Sequence, residues 1–526
     1  MSKQLMRRWA TATILVAGAA CSPPRRPVGT PLPSAADRLA VADAELRAGC
    51  LECLRSAFEH YDALRQTPGA ADAATAGAVR AAALVAMRER ELGMVDEGYY
   101  ARARELAASG GNVPSWLPRV LEIVDALPRS RAGTGRPPMS DADLARMRVL
   151  RENSEAWLNF LRGAAQYDEA AAYTWLAFTC DAIDTRTMRP LEIFDAVAPF
   201  DGAPLIIYRE STCRTTEART LESMIGHDPR FVEIAYWLGL ANLGARPRPN
   251  VDEAERWFQR AYVWQPKWPA LTLTMGGVAM TGEEFDRART MYEETLALEP
   301  HSGDALFGDL RALTYLGAAA EAIAAADRMI AERWSVGDAR YWRAYNELQL
   351  DRLDEAWDDV ELAEKTSINA QIPKLAGLIA YRRSQLDVAI ARFSTSYERN
   401  PLDCETRFYL GVVHAELRHW TDTADVLVGA ASCLQDAEVE LTQDIARIRA
   451  SNLKEERKAK QIARREQQIV EGRRRIATSW FDIAVADFGM SKKDEARQYA
   501  EKVSDDEQFG ERARELLARL RHDDQR

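Results

Sequence analysis

The stretch Gly276-Gly277-Val278-Ala279-Met280-Thr281-Gly282-Glu283-Glu284-Phe285-Asp286-Arg287-Ala288-Arg289-Thr290-Met291-Tyr292 decides the fold. It sets an alanine twelve residues after a glycine and a tyrosine four residues beyond, and Pro300 closes the segment. Outward from it the alanine recurs as Ala254, Ala288, Ala322, Ala356, Ala389 and Ala424, at intervals of 34, 34, 34, 33 and 35 residues. Phe258, Tyr292 and Phe393 stand four residues after their alanines, and Pro266, Pro300 and Pro401 twelve after. A period of this size belongs to stacked helix pairs, each burying its apolar side only against its neighbours. Gly239, Gly276, Ala344, Gly377 and Gly411 in the first helices are expected to face the alanines of the second where the axes cross. Only small side chains allow that approach, while the aromatics fill the gaps above and below. Proline then ends the second helix and sets the next turn.

In this spacing residues 230–433 resemble the tetratricopeptide repeat family, with six repeats. Leu310 departs from the pattern by replacing the glycine of the third repeat, and the Arg246-Pro247-Arg248-Pro249 turn carries three extra residues. The resemblance implies an all-α fold, an α-solenoid of stacked antiparallel helix pairs wound into a superhelix, with additional helices at both ends. It also implies a concave groove that binds proteins or peptides. Superposing the first helices places Tyr236, Phe307, Arg311, Tyr315, Tyr341, Tyr345, Lys374, Tyr381, Arg382 and Phe408 along that groove. Aromatic rings with a few cations suit an extended or helical peptide, since rings supply contact area and guanidinium pairs with carboxylate. The set lacks the regular Lys/Asn/Arg pattern of tetratricopeptide domains that clamp a terminal carboxylate, so that specificity does not carry over.

The N-terminus reads as an address. Lys3, Arg7 and Arg8 precede an uncharged stretch of 12 residues from Trp9 to Ala20, too short to span a bilayer and suited to a secretory segment. Val16-Ala17-Gly18-Ala19-Ala20-Cys21 resembles a bacterial lipobox, with Gly18 where leucine is usual. That resemblance implies removal of residues 1–20, a lipid on Cys21, and a proline-rich tether over residues 21–33 that stays extended. Ser22 resembles lipoproteins sorted to the outer membrane. The expected location is therefore the cell envelope, lipid-anchored on the periplasmic face of the outer membrane.

Composition narrows the rest. A net charge of −11 argues against nucleic acid as the main partner. Beyond Cys21 six cysteines remain, and six allow about 15 pairings. Cys404 opens the first helix of the sixth repeat and Cys433 lies late in the second, so antiparallel packing brings them together. Cys180 with Cys213, on successive helices, and Cys50 with Cys53, opening one helix, are the other candidate pairs. No strand pattern surrounds Cys50-Leu51-Glu52-Cys53, so a redox thioredoxin-like site is not expected.

Residues 34–127 read as helices with repeat-like fragments, and 128–140, rich in Gly, Pro and Arg, as a linker. Residues 141–229 read as helical, with Trp157, Phe160, Tyr173, Trp175 and Phe178 as core. Residues 434–478 read as one long charged helix, roughly Ala437 to Arg475, and 479–521 as a closing repeat-like pair and cap. Between Lys454 and Arg475 stand nine basic and four acidic residues, a basic run that reads as a solvated helix face or, alternatively, a contact for an acidic partner or lipid headgroups. His414 and His419 are five apart, off a common helix face, so no metal site is expected. HExxH, GxSxG and GxxxxGK[ST] are missing, and no cofactor or catalytic residue is assigned. The expected function is a membrane-anchored scaffold. The alternative is a small-molecule-binding or enzyme-adaptor module with a pocket in residues 141–230, lined by Pro199-Phe200-Asp201-Gly202 and the aromatics before it.

Overall fold

The computed structural model describes residues 33–524 except 110–112, 114–116, 127–140, 166, 183–197, 201, 214–217, 246–248, 368 and 370. The leader, Cys21, nearly all of the tether and the linker 128–140 lie outside the described residues. Those described form helices and turns with no strand, an all-α solenoid. Among them no helix is long and apolar enough to cross a membrane.

An N-terminal body holds α1 (Ala35–Ala48), α2 (Leu51–Asp62), α3 (Ala71–Leu92), α4 (Tyr99–Ala108), α5 (Leu117–Ala126), α6 (Asp141–Ala165), α7 (Glu169–Ala182), α8 (Pro204–Cys213) and α9 (Ala218–His227). Its start is set locally: Ser34 accepts from the Asp37 N–H while the Asp37 carboxylate accepts from the Ser34 N–H, a reciprocal cap. Trp157, Tyr173 and Trp175 are buried, but Phe160 is 37% exposed and is not core, because it lies off the apolar stripe through Trp157 and Leu161. The side chain of Phe178 lies outside the described residues. Sequence gave no hint of the polar cluster at the centre of this body. Arg88, fully buried, meets Glu233 at 2.8 Å and the Tyr173 hydroxyl at 3.0 Å and lies 3.5 Å above the Tyr208 ring. Arg209 meets Glu91 at 2.9 Å, and Glu233 accepts the Leu51 N–H at 2.8 Å. Such charges persist in the interior only because each is paired and hydrogen-bonded.

The repeats follow as α10 (Ile234–Gly244) with α11 (Val251–Trp264), α12 (Pro269–Thr281) with α13 (Phe285–Leu298), and α14 (Gly303–Tyr315) with α15 (Ala319–Ala331). Then come α16 (Val336–Gln349) with α17 (Leu353–Thr366), α18 (Gln371–Arg382) with α19 (Leu386–Arg399), and α20 (Cys404–Glu416) with α21 (Trp420–Arg449). The periodic alanines are buried, but the glycines face something else. A Cβ on Gly239 would lie 2.3 Å from Phe258, on Gly276 2.7 Å from Tyr292 and on Gly377 2.6 Å from Phe393. The small residue of the first helix thus receives the ring four places after the alanine, not the alanine itself. In the sixth repeat the register shifts by one. Thr423 is twelve residues after Gly411 and fully buried, while Ala424 is 8% exposed, and Leu427 fills the space beside Gly411.

Past the sixth repeat the expected single helix is two. After α21 the chain turns at Ala450–Lys454 and returns as α22 (Glu455–Gly489), which packs along α21. The turn is a local break: Ser451 Oγ donates to the Ile448 carbonyl at 2.6 Å, a competing partner for helical backbone. The far end of α22 pairs with α23 (Lys493–Lys502), and α24 (Gly510–Asp524) closes the stack. Cys404 is bonded to Cys433 and Cys50 to Cys53, with Cα separations of 5.5 Å and 4.9 Å. The side chains of Cys180 and Cys213 lie outside the described residues.

Two adjacent glycines separate crossing from propensity. Gly276→Ala is expected to cost about 1–3 kcal/mol, because Tyr292 must yield. Gly277→Ala, with nothing within 4 Å of the added carbon, should stabilise by about 0.5–1 kcal/mol. Urea denaturation of both variants reads the contrast directly. Mild reductant, in turn, should open the half-exposed Cys404–Cys433 before the buried Cys50–Cys53, with a loss of about 3–4 kcal/mol for its loop; mass spectrometry after alkylation gives the order.

Candidate functional site, the inner face of the repeats

First helices of successive repeats touch one another, α12 with α14, α14 with α16, α16 with α18 and α18 with α20, which puts them on the inner side of the curve. Four expected groove residues come together there. Tyr315 at the end of α14 is 42% exposed, Tyr341 and Tyr345 on α16 are half-buried, and Lys374 on α18 is close enough for its charge to work against the rise that burial imposes on the Tyr345 hydroxyl. Phe285 stacks on Tyr315 at 4.8 Å and Trp342 meets it edge-on at 6.1 Å, so the rings form a ladder across repeats two to four. Burial pushes the Tyr341 hydroxyl up to about 12, with Tyr345, Tyr315 and Glu405 adding to the shift. Lys374 reaches Glu405 at 2.5 Å and Asp403 at 3.1 Å.

The others separate. Tyr236 is 1% exposed, within 4.9 Å of the Trp268 ring, and belongs to the core. The N-terminal body packs over the first repeat there: the Trp268 indole N–H donates to the Leu92 carbonyl at 2.6 Å. Phe408 is likewise core, in a cluster with Leu427 and Ile483. Arg311 lies 5.8 Å from the Phe307 ring, one turn away on the same helix. Tyr381 donates to Glu416 at 2.5 Å, and Arg382 pairs with Asp351 at 2.9 Å in solvent.

The basic run is solvated on one side only: Lys454, Lys460, Arg473 and Arg474 are exposed, while Arg457, Arg464, Arg465 and Arg475 turn inward. It forms the first half of α22 and lies against the chain's own acidic turns. Arg457, 3% exposed in its side chain, contacts Glu255 at 2.5 Å, Glu284 at 3.1 Å and Asp252 at 3.3 Å. Arg465 bridges Glu283 and Asp444, both at 2.8 Å, and Arg464 sits 5.0 Å from the Phe285 ring and 5.3 Å from Tyr315. At the other end Arg475 meets Glu405 at 2.7 Å. Eighteen residues of helix span about 27 Å, so one rod joins the turns of repeats one and two to the start of repeat six. Burial works against the Arg457 charge, yet Glu284 and Glu255 hold its pKa above the usual value. Burial would raise Glu284, but Arg457 and Arg287 outweigh it and keep that carboxyl below its ordinary range. The sequence holds the ingredients but not their meeting: Ser451-Asn452 could have been read as a turn, and carboxylates cluster at Asp252, Glu255, Glu283 and Glu284.

The pocket expected in residues 141–230 is met only in part, since α6 supplies Ala145, Val149 and Trp157 to a cleft whose other wall comes from α4 and α5. An open cleft of about 650 Å³ between α4, α5 and α6 is lined by Tyr100, Arg104, Leu121, Glu122, Val149 and Trp157. Pro199 is exposed, Phe200 is half-buried, and neither lines it; Asp201 lies outside the described residues.

Residues 273–337 match the family model described as tetratricopeptide repeat. No curated protein matches the chain. Among solved structures it is similar to YrrB, described as a TPR protein with an unusual peptide-binding site (17% identity, 34% of this chain and 91% of that one, TM-score 0.29). It is also similar to a tetratricopeptide repeat protein from Parabacteroides merdae (14% identity, 57% and 99%, TM-score 0.31). A third is Cut9–Hcn1 of the APC/C (13% identity, 93% and 96%, TM-score 0.36). Scores this low say nothing about partner or function.

Arg457→Ala removes a cation shared by three carboxylates, of which Glu255 and Glu284 keep Arg287 at 2.8 Å and 2.9 Å. In fully buried pairs such a change costs about 3–5 kcal/mol, and less here because Glu284 and Asp252 keep some water. Amide exchange should quicken over residues 455–475 and stay unchanged over 493–524. A depressed carboxyl contributes stability at neutral pH that is lost as pH falls through its folded value. The same segment of the wild type should therefore loosen on acidification, and Glu284→Gln should blunt that response.

Proposed function

We infer that this chain, a member of the tetratricopeptide repeat family, is an envelope scaffold tethered to a membrane through a lipid on Cys21 and binding protein segments along its inner face. The observation that carries the binding half is the ladder of Tyr315, Tyr341 and Tyr345 beside Lys374 and Glu405. Rings that keep part of their area open to solvent offer contact at low entropy cost, and the flanking cation and carboxylate orient a polar backbone or side chain. The partner is an extended or helical peptide segment of another protein. It shares this face with α22, so the space it takes lies beside that helix.

The anchoring half rests on residues 1–33: a basic start, an uncharged stretch, Cys21 and a proline-rich tether. Export also suits Cys50–Cys53 and Cys404–Cys433, since such bonds persist in oxidising compartments. The orientation at the periplasmic face of the outer membrane follows from Ser22 by resemblance.

Cross-linking followed by recovery from membranes tests both halves. Cys21→Ser should move the protein to the soluble fraction; equal partition of the two forms overturns the anchor. Tyr341→Ala/Tyr345→Ala should keep the fold and membrane partition but lose at least about tenfold of the cross-linked partner, the scale of a 1.4 kcal/mol interface loss. Unchanged recovery overturns the inner-face site.

A further inference from the structure

The turn of the sixth repeat brings together three groups that no part of the scaffold reading uses. His414 stands in the last turn of α20, His419 is the residue before α21, and Asp422 is in that helix's first turn. Their spacing of five would separate two histidines on one helix, but the helix ends between them. Arg418 adopts a left-handed φ of 59°, and the His419 N–H donates to the His414 carbonyl at 2.9 Å. That reversal turns the rings toward each other. Their Nδ1 atoms are 3.3 Å apart, an Asp422 oxygen is 4.0 Å from His414 Nδ1, and one donor atom from each of the three residues lies within 4.8 Å of the others.

We propose that His414, His419 and Asp422 form a binding site for a zinc-type divalent ion. Two zinc–nitrogen bonds of about 2.0–2.1 Å meeting at a tetrahedral angle span about 3.3–3.4 Å, which matches the 3.3 Å between the two Nδ1 atoms. Asp422 is exposed and closes the remaining gap by rotating its own side chain. Two imidazoles with one carboxylate favour zinc and the neighbouring late first-row ions over calcium or magnesium, which prefer all-oxygen sets. Three protein ligands at the surface leave a fourth position for water or for a donor atom from a bound partner. The ion would clip the end of α20 to the start of α21.

The test uses the full chain, stripped with chelator and titrated with zinc chloride by calorimetry. The expected result is one ion per chain, with affinity lowered at least about tenfold in His414→Ala and in His419→Ala, the lower bound for disturbing a ligand's setting. His301→Ala, a histidine outside the cluster, should bind as the wild type. Cobalt substitution should give the visible absorption of a tetrahedral site, weakened in Asp422→Asn. Melting curves in chelator show whether each variant is folded; His419→Gln, which preserves side-chain size and polarity at the turn, replaces any that is not. A wild type that binds no zinc overturns the proposal. So does a folded His414→Ala/His419→Ala variant that binds with unchanged affinity and stoichiometry, or a wild type that prefers calcium.

Discussion

A ring set against a missing side chain is the contact on which the stack depends. Phe258 occupies the space above Gly239, Tyr292 that above Gly276 and Phe393 that above Gly377. Each of these three repeats thereby locks its two helices at one distance and one angle, since a bulkier residue forces the axes apart and a smaller ring leaves a void. Where the first helix carries Leu310 the second answers with Ala326, and where it carries Ala344 the second answers with Val360. Volume is conserved while identity changes, which close packing permits.

From that fixed geometry comes a curve, and the curve sets the electrostatics. The first turn of α11 in repeat one and the inter-helix turn of repeat two point their carboxylates along one edge, and six repeats of winding bring the C-terminal hairpin back beside them. A helix with a local charge of +5 then meets Asp252, Glu255, Glu283 and Glu284 in an otherwise acidic chain. Arg457 contributes more than a surface arginine would because its side chain is sealed from water and satisfied by three carboxylates at once. Arg464 adds a cation over the Phe285 and Tyr315 rings, so the aromatic ladder and the charged edge belong to one surface. The inner face is therefore a wall built from two distant parts of the chain.

The N-terminal body uses buried charge in a different way. Arg88, Glu91, Arg209 and Glu233, with Tyr173 and Tyr208, join α2, α3, α7 and α8 to the residues that open α10. Every member is held by another, and the loss of one strands the rest in a low dielectric. The cluster joins that body to the first repeat at a defined angle, as Trp268 does through the Leu92 carbonyl.

What the amino-acid sequence determined by itself is the helix pair, its period and its small-residue positions, because those follow from side-chain volumes a few residues apart. Even there the sixth repeat was legible only to within one place: Ala424 looks like the marker, yet Thr423 occupies the crossing, since both are small and burial alone distinguishes them. Repeat position made legible that Tyr315, Tyr341, Tyr345 and Lys374 stand on first helices with part of their surface open, but not that Tyr236 and Phe408 are core, because what covers a ring depends on neighbours outside its own repeat. Tertiary structure alone decided the destination of Arg457, some 200 residues from its carboxylates, and the meeting of His414 with His419 across a turn. The physical reason is cumulative: each repeat adds a small rotation that no single segment encodes, and only their sum places one end of the stack against the other.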